Sequence, residues 1–493
     1  MIDRQISVMM KQKMDDKIKS CHPIQYLMPM LGALCCFMNS VSAAPAEALN
    51  QDILTSPNFS GLKELKKDPI MDAKARVAMA WSLEQCLNYA REHSREFQQT
   101  RLDYAKVEEQ WRQRRAELDP TLSSSVSKDV HSDQHSASIG LSKSFYGGWN
   151  LSTSLTGSGS DPGQDTVSTS LVLTKELLKS GSISETKKAL DDQSVQLLKE
   201  GNVLNRESRS LVLRIKRLFF RALRNMETLS IQERRLERSR KNLERALERE
   251  DPMDIATAKL EVPSSELSVL SSKINIQAAL DELKVAMGMD VKEDFSLLRH
   301  LDFKIRDLAL DEDISKSLNS HENLLNLDLD LKLKQRHLQL AKRGRLPRLW
   351  IKGELGHSSV DGFKQLKENE ESLSLNLSYP VFHRSAASAL NILNLELNHL
   401  QLDVTSAQQN KVKTLKQLHR QLREQRQSID LQVDQVALRE QQVELYKDRW
   451  NEGEIDILEV VRNENNLENS RVDLVNRKIR YMELLAEYEF ERG

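Results

Sequence analysis

Arg115-Ala-Glu-Leu-Asp-Pro120-Thr-Leu122 and Lys342-Arg-Gly-Arg-Leu-Pro347-Arg-Leu349 stand 227 residues apart and share one plan. Each is a polar, helix-forming run, a proline that stops it, and the start of a new pattern. Proline ends a helix because its ring removes an N–H and clashes with the preceding turn. Upstream, Leu83 to Leu118 holds neither Pro nor Gly, and Ile314 to Leu346 is broken only by Gly344. Ser94-Arg-Glu-Phe97 stands over His321-Glu-Asn-Leu324 at the same offset, so the chain reads as an internal duplication.

Beyond each proline the apolar period changes from helical to two. Leu373, Leu375, Leu377 and Tyr379 alternate with Ser372, Ser374, Asn376 and Ser378; Val167, Thr169, Leu171 and Leu173 alternate with Ser168, Ser170 and Thr174. Such alternation predicts strands with one apolar and one polar face, placed in the second copy at 347–357 and 371–382. Leu173-Thr-Lys-Glu-Leu-Leu178 matches Leu377-Ser-Tyr-Pro-Val-Phe382 at an offset of 204, so the first copy carries about 23 extra residues. Ile139, Leu141 and Phe145 alternate with serines, Tyr146-Gly-Gly-Trp149 turns the chain, and Leu151 and Leu155 resume the pattern. An added hairpin at about 136–158 accounts for the surplus.

Two very long helices follow the strands, at 184–249 and 385–451. At 1.5 Å per residue each reaches about 100 Å. Ile215, Ala222, Leu229, Leu236 and Leu243 recur at sevens, as do Leu415, Leu422, Ile429, Val436 and Val443, which predicts coiled-coil packing. Each helix breaks briefly, at Glu250-Asp-Pro-Met253 and Gly453-Glu-Ile455, and returns over 254–287 and 455–492. The first repeat is thus 79–288, the second 311–493, and 289–310 links them.

The first 43 residues read as a secretory signal: lysines at 11, 13, 17 and 19, an apolar run from Ile24 to Met38, and Val41-Ser-Ala43 as the cleavage site. Cys21, Cys35 and Cys36 fall within it, leaving Cys86 as the one mature thiol, so neither an internal disulfide nor a CxxC zinc site is expected. Residues 44–78, which carry little pattern, read as a periplasmic tether.

Composition narrows the function. With 39% hydrophobic, 5% aromatic and 29% charged residues, the chain has the material of extended helices with a narrow seam rather than of several compact cores. Lys plus Arg (72) nearly cancel Asp plus Glu (73), which argues against nucleic acid as a partner. No HExxH, Walker loop or GxSxG occurs; His131 and His135 lie in a serine-rich loop, and Gly157-Ser-Gly joins strands. The arginines between Arg206 and Arg249 are interleaved with Glu227, Glu233, Glu237, Glu244 and Glu248, as on a salt-paired helical surface. No enzyme activity, cofactor or metal is expected.

A duplicated helix, strand pair, long helix and returning helix behind an export signal resembles the TolC-like outer-membrane efflux protein family over nearly the whole mature chain. The junctions at Pro120 and Pro347, the strand exit Leu375-Asn-Leu-Ser-Tyr-Pro-Val-Phe382 and the tip Trp450-Asn-Glu-Gly453-Glu-Ile-Asp-Ile-Leu-Glu459 carry the likeness. In the first copy Asp254 takes the place of Glu459, while Glu248 stands where the tip glycine is expected. The resemblance implies a mainly α protein with a membrane β part: a homotrimer whose helices form an α-barrel tunnel joined to a shared transmembrane β-barrel. It implies a channel in the bacterial outer membrane with a long periplasmic extension, in efflux or type I secretion, working with a periplasmic adaptor (membrane-fusion) protein and an inner-membrane transporter. Independently, strands of this length suit a bilayer, but four or six cannot close a barrel from one chain. The family usually brings four strands per protomer, against six read here.

Glu250, Asp251, Asp254, Glu454, Asp456 and Glu459 are expected to make an acidic, cation-preferring periplasmic entrance, with Arg249 and Arg462 as the nearby cations. Gly453, Ile455 and Leu458 are expected to give backbone freedom and apolar contact to the adaptor, which the resemblance implies docks there. Trp149, Trp350 and Tyr379 are candidate membrane-interface aromatics beside outer-membrane lipid. The rival reading is a soluble coiled-coil scaffold or membrane-shaping protein, which leaves the strands and the export signal unexplained.

Overall fold

The computed structural model describes residues 80–128, 134–145, 148–160, 166–177, 181–299, 303–343, 346–359, 368–379, 382 and 384–493. The signal at 1–43, the tether at 44–78 and His131 lie outside the described residues. The described residues are mostly helical, with one small antiparallel sheet among them.

A capping box starts α1 (Leu83–His93): Ser82 Oγ accepts from Gln85 N at 3.3 Å, and Gln85 Oε1 accepts from Ser82 N at 2.9 Å. After α2 (Arg95–Ala116), the strands β1 (Thr121–Lys128), β2 (Gln134–Ser144), β3 (Trp149–Ser160) and β4 (Thr166–Glu176) run to the long α3 (Gly181–Arg249) and the returning α4 (Pro252–Met287). The second half repeats the order as α5 (Leu310–Ser320), α6 (Glu322–Arg343), β5 (Arg348–Ser359), β6 (Glu368–Ser378), α7 (Arg384–Asn451) and α8 (Ile457–Arg492). β6 starts before 371 and stops at Ser378, because its ladder with β5 ends where Arg348 pairs with Ser378.

The six strands form one meander in the order β1 to β6, every neighbouring pair antiparallel. Within the described residues β1 and β6 are its edges. Register puts Leu122, Leu141, Leu151, Leu173, Ile351 and Leu375 on one face, and serines and threonines on most of the other. Most of the apolar face is bare: Leu122, Val126, Leu373, Leu375 and Leu377 are exposed.

The helices form a second layered array. Toward the tips the lateral order is α4, α3, α8, α7; nearer the sheet it is α2, α3, α6, α7. Thus α3 and α7 run the full length, while the other positions are filled by two helices meeting end to end. At one such joint Gly288, in the left-handed region (φ 83°), lies so close to His93 O that a Cβ would stand 2.1 Å from it. At the other, Arg209 donates to Phe490 O at 3.2 Å. Ile215, Ala222 and Leu229 of α3, and Leu415, Leu422, Ile429 and Val443 of α7, are buried along the seams. Leu211, Phe219, Leu223, Leu283, Met287 and Ile479 form the largest core. Cys86 lies in it, and burial pushes its thiol up to about 12, so it stays protonated and unreactive.

Candidate functional site

The two helical tips meet at the end of the molecule remote from the sheet. In the second tip α7 ends in a Schellman cap: Gly453 N donates to Trp450 O and Glu454 N to Arg449 O, both at 3.0 Å, with Gly453 at φ 79°. Five residues separate α7 from α8, and Asp456 is the N-cap. In the first tip only Glu250 and Asp251 separate α3 from α4. Here Glu250 takes the left-handed conformation (φ 59°), Asp251 Oδ1 caps Met253 N at 2.8 Å, and Pro252 is the first helical residue. The residue matching Gly453 in conformation is therefore Glu250 and not Glu248, because the first tip is three residues shorter. Both returning helices also start differently from the expectation, at Pro252 and Ile457, leaving Ile455 outside α8.

Asp254 corrects the expected entrance set. It is buried: Oδ2 accepts from the Trp450 indole N–H at 3.2 Å, and Oδ1 from Ile457 N at 3.1 Å. A carboxylate from the first tip thereby caps the second returning helix, whose own N-cap Asp456 makes no side-chain cap bond. Arg249 adds to the lock, donating to the carbonyls of Trp450 and Asn451 with its guanidinium 4.5 Å over the Trp450 ring. Beneath lies a small apolar core of Ala246, Ala258, Trp450, Ile457, Val460 and Val461, on which Ile455 packs half-buried.

Glu250, Asp251, Gly453, Glu454, Asp456 and Leu458 stay exposed, and Glu459 is partly buried. Glu459 pairs with Arg462 at 3.1 Å, and Arg449, a third cation beside the expected two, reaches Glu454 at 3.9 Å. Both pairs are solvent-screened and weak. The exposed tip surface is acidic.

Above the tip core the contact between α3 and α8 is polar. Arg238 pairs with the fully buried Glu468, which Arg471 also reaches at 2.9 Å, and Asn242 donates to Glu464 at 2.9 Å; on its other side α3 pairs Arg235 with Glu261 of α4 at 2.6 Å. The heptad on α3 points to Leu236 and Leu243, yet the buried positions are Ser239, which bonds Ser265 of α4 at 3.0 Å, Asn242 and Ala246. Trp450 and Arg249 are the tip residues that sequence reasoning undervalued; a large aromatic just before a helix break was the signal available.

In the sheet, Trp149 lies opposite Lys175, whose ammonium sits 4.3 Å over its ring, and Lys143 stands 5.1 Å over Phe145. With the exposed Tyr379 these rings mark the apolar face at its helix-proximal rim. Trp350 does not join them. It lies between Leu349 and Ile351 in β5, opposite Asn376 and Glu176, so the pleat turns it to the polar face.

Comparison with known proteins agrees with this architecture. The family model described as outer membrane efflux protein matches residues 314–485. Among solved structures, the CusC channel matches with a TM-score of 0.64 and 14% identity, covering 87% of this chain and 99% of that one. The open-state MtrE outer membrane channel of Neisseria gonorrhoeae matches with a TM-score of 0.64, 15% identity and coverage of 87% and 94%. The CmeC outer membrane channel of Campylobacter jejuni gives 0.63, 14%, and 83% and 85%. No curated protein matches the sequence. The fold is that of the TolC-like channels, as the sequence resemblance implied.

Proposed function

We propose that three copies of this chain close into an outer-membrane efflux duct, carrying cargo handed over by an inner-membrane transporter and a periplasmic adaptor. The observation that carries this reading is the sheet: its apolar face is bare, and its edge strands β1 and β6 have no partner among the described residues of the chain. An open edge is not tolerated in lipid, so the edges must pair with those of further copies. Strands of 11 residues, tilted by about 40°, span the roughly 25 Å apolar band of an outer-membrane barrel. The helix array supports the same closure. Met253, Leu260, Leu267 and Ile274 form an exposed heptad stripe on α4, and Leu431, Leu438 and Leu445 another on α7, the two lateral edges of the array near the tips. The helices run in opposite directions, and counted from the tips Leu260 stands within about a turn of Leu445, and Leu267 of Leu438. Stripe against stripe, each copy covers its neighbour, and three close a ring. A soluble scaffold would leave the sheet face bare.

The tips form the periplasmic mouth. Glu250, Asp251, Glu454, Asp456 and Glu459, repeated threefold, sum their potentials and favour cations, while Gly453 and Leu458 face the adaptor. The duct conducts and does no covalent chemistry. Purified protein in a planar bilayer tests this: reversal potentials should favour cations, and Asp456→Asn with Glu459→Gln should weaken that preference. Anion preference, or no trimer in the outer-membrane fraction, would refute the reading.

A further inference from the structure

We propose that all six strands of each copy enter the shared wall, so that the barrel has eighteen strands and a hydroxyl-lined bore wide enough for bulky hydrophilic solutes. The inference rests on the trimeric duct and adds what that duct admits.

The hairpin β2–β3 is an interior part of the sheet. It is hydrogen-bonded on both flanks, to β1 from Thr121↔Ser142 through Lys128↔His135 and to β4 from Trp149↔Lys175 through Ser158↔Thr166. Folding it out as an extracellular flap would break both ladders and leave buried backbone groups unpaired. Its side chains follow the same two faces as the rest: Ile139 and Leu155 lie opposite each other among the leucines, Ser138 and Thr156 on the polar side. Strand number sets bore. At about 4.8 Å between strands and about 40° of tilt, eighteen strands put opposite backbones about 35 Å apart, against about 24 Å for twelve.

The lining keeps that bore open. Across the polar face hydroxyls pair between strands, Ser125 with Ser138 at 2.8 Å, Ser154 with Ser170 at 2.8 Å and Ser158 with Thr166 at 2.7 Å. These side chains are too short to fill a lumen of this width. The charges on this face at β4 and β5 are largely matched, Arg348 with Glu176 at 3.7 Å and Lys352 with Glu354 at 2.8 Å. A wall mainly of small, mutually satisfied hydroxyls, interrupted by Trp350 near the helix-proximal rim, offers apolar solutes little to bind. Glu370 of β6, opposite Gly356, adds one exposed carboxylate per copy to this face, and the acids of the tips supply the rest of the selection by charge.

Single cysteines at Ser138, Ile139, Ser154 and Leu155, in full-length protein whose native cysteines are replaced by alanine, test the proposal in reconstituted trimer. A membrane-impermeant maleimide should label positions 138 and 154 roughly tenfold or more faster than 139 and 155, which should instead react with a bilayer-soluble maleimide. Electron microscopy of the same trimer should give the wider barrel, and excision of residues 134–160 should narrow it by about a third. A trimer in which all four positions label equally from water, or whose intact barrel has the twelve-strand width, overturns this proposal alone. Absence of a membrane-inserted trimer overturns the duct reading and this one with it.

Discussion

Asp254 accepts a hydrogen bond from the backbone N–H of Ile457 at 3.1 Å, so the first helical tip caps the first residue of the helix returning from the second. The same carboxylate takes the Trp450 indole N–H at 3.2 Å, and the two repeats are tied at the place where they are furthest from the sheet. Removing the carboxylate would leave two buried donors unpaired. Asp254→Ala should therefore cost about 1–3 kcal/mol, and amide exchange should quicken at 450–460 while the sheet stays protected. Asp254→Asn, which keeps one acceptor oxygen, should lose less. Unchanged exchange in the alanine variant would refute the cross-cap.

Glu250 and Gly453 pay for the same left-handed turn differently, since only glycine adopts it without a Cβ clash. Glu250→Gly should raise stability by roughly 1 kcal/mol or less, and Gly453→Ala should lower it by about 1 kcal/mol. Nothing lies within 4 Å of a Cβ at Gly453, so that loss is conformational and not steric. Denaturant midpoints of the two variants measure both.

The exposed stripes on α4 and α7 give an assembly prediction. Leu267→Lys or Leu438→Glu alone should weaken association by roughly 1.5–3 kcal/mol per interface, and the two together should recover part of it, because the new charges meet across the seam. Sedimentation of detergent-solubilised protein reads the outcome. Equal, additive losses would place the stripes apart.

His321 should make stability depend on pH. It is buried between repeats, faced by Glu322 beside it, Arg209 of α3, Lys411 of α7 and Glu491 of α8; burial first, then Lys411, lowers its pKa to about 4. The unfolded chain binds this proton more readily, so the contribution is complete above about pH 6.5 and is lost as pH falls toward 4. His321→Gln should flatten the fall in thermal midpoint across that window. An equally steep fall in the variant would assign it to the neighbouring carboxylates.

Parts of this molecule were legible because they follow from local periodicity. The sevens at Ile215, Ala222 and Leu229 and at Leu415, Leu422 and Ile429 had to face a partner, since one face of a helix must leave water. Trp350 was within reach of the same reasoning: in a strand with Leu349 and Ile351 on one face, the residue between them points the other way. Tip proximity alone could not separate the acids. Asp254, Asp456 and Glu459 are alike in sequence, and only one is buried.

The repeat, the alternation of strand and long helix, and the resemblance these carry can be read along the chain, because prolines, period and offset are properties of neighbouring residues. The tertiary structure decided which contacts cross between repeats. Asp254 meets Ile457, Arg238 meets Glu468 and Asn242 meets Glu464 across more than 200 positions of chain. It also decided that β2 and β3 lie inside the sheet and that the α4 stripe is bare while the α3 seam is covered. The physical reason is that a heptad or an alternating strand records that one face seeks burial; what covers it depends on where two distant elements come to lie side by side.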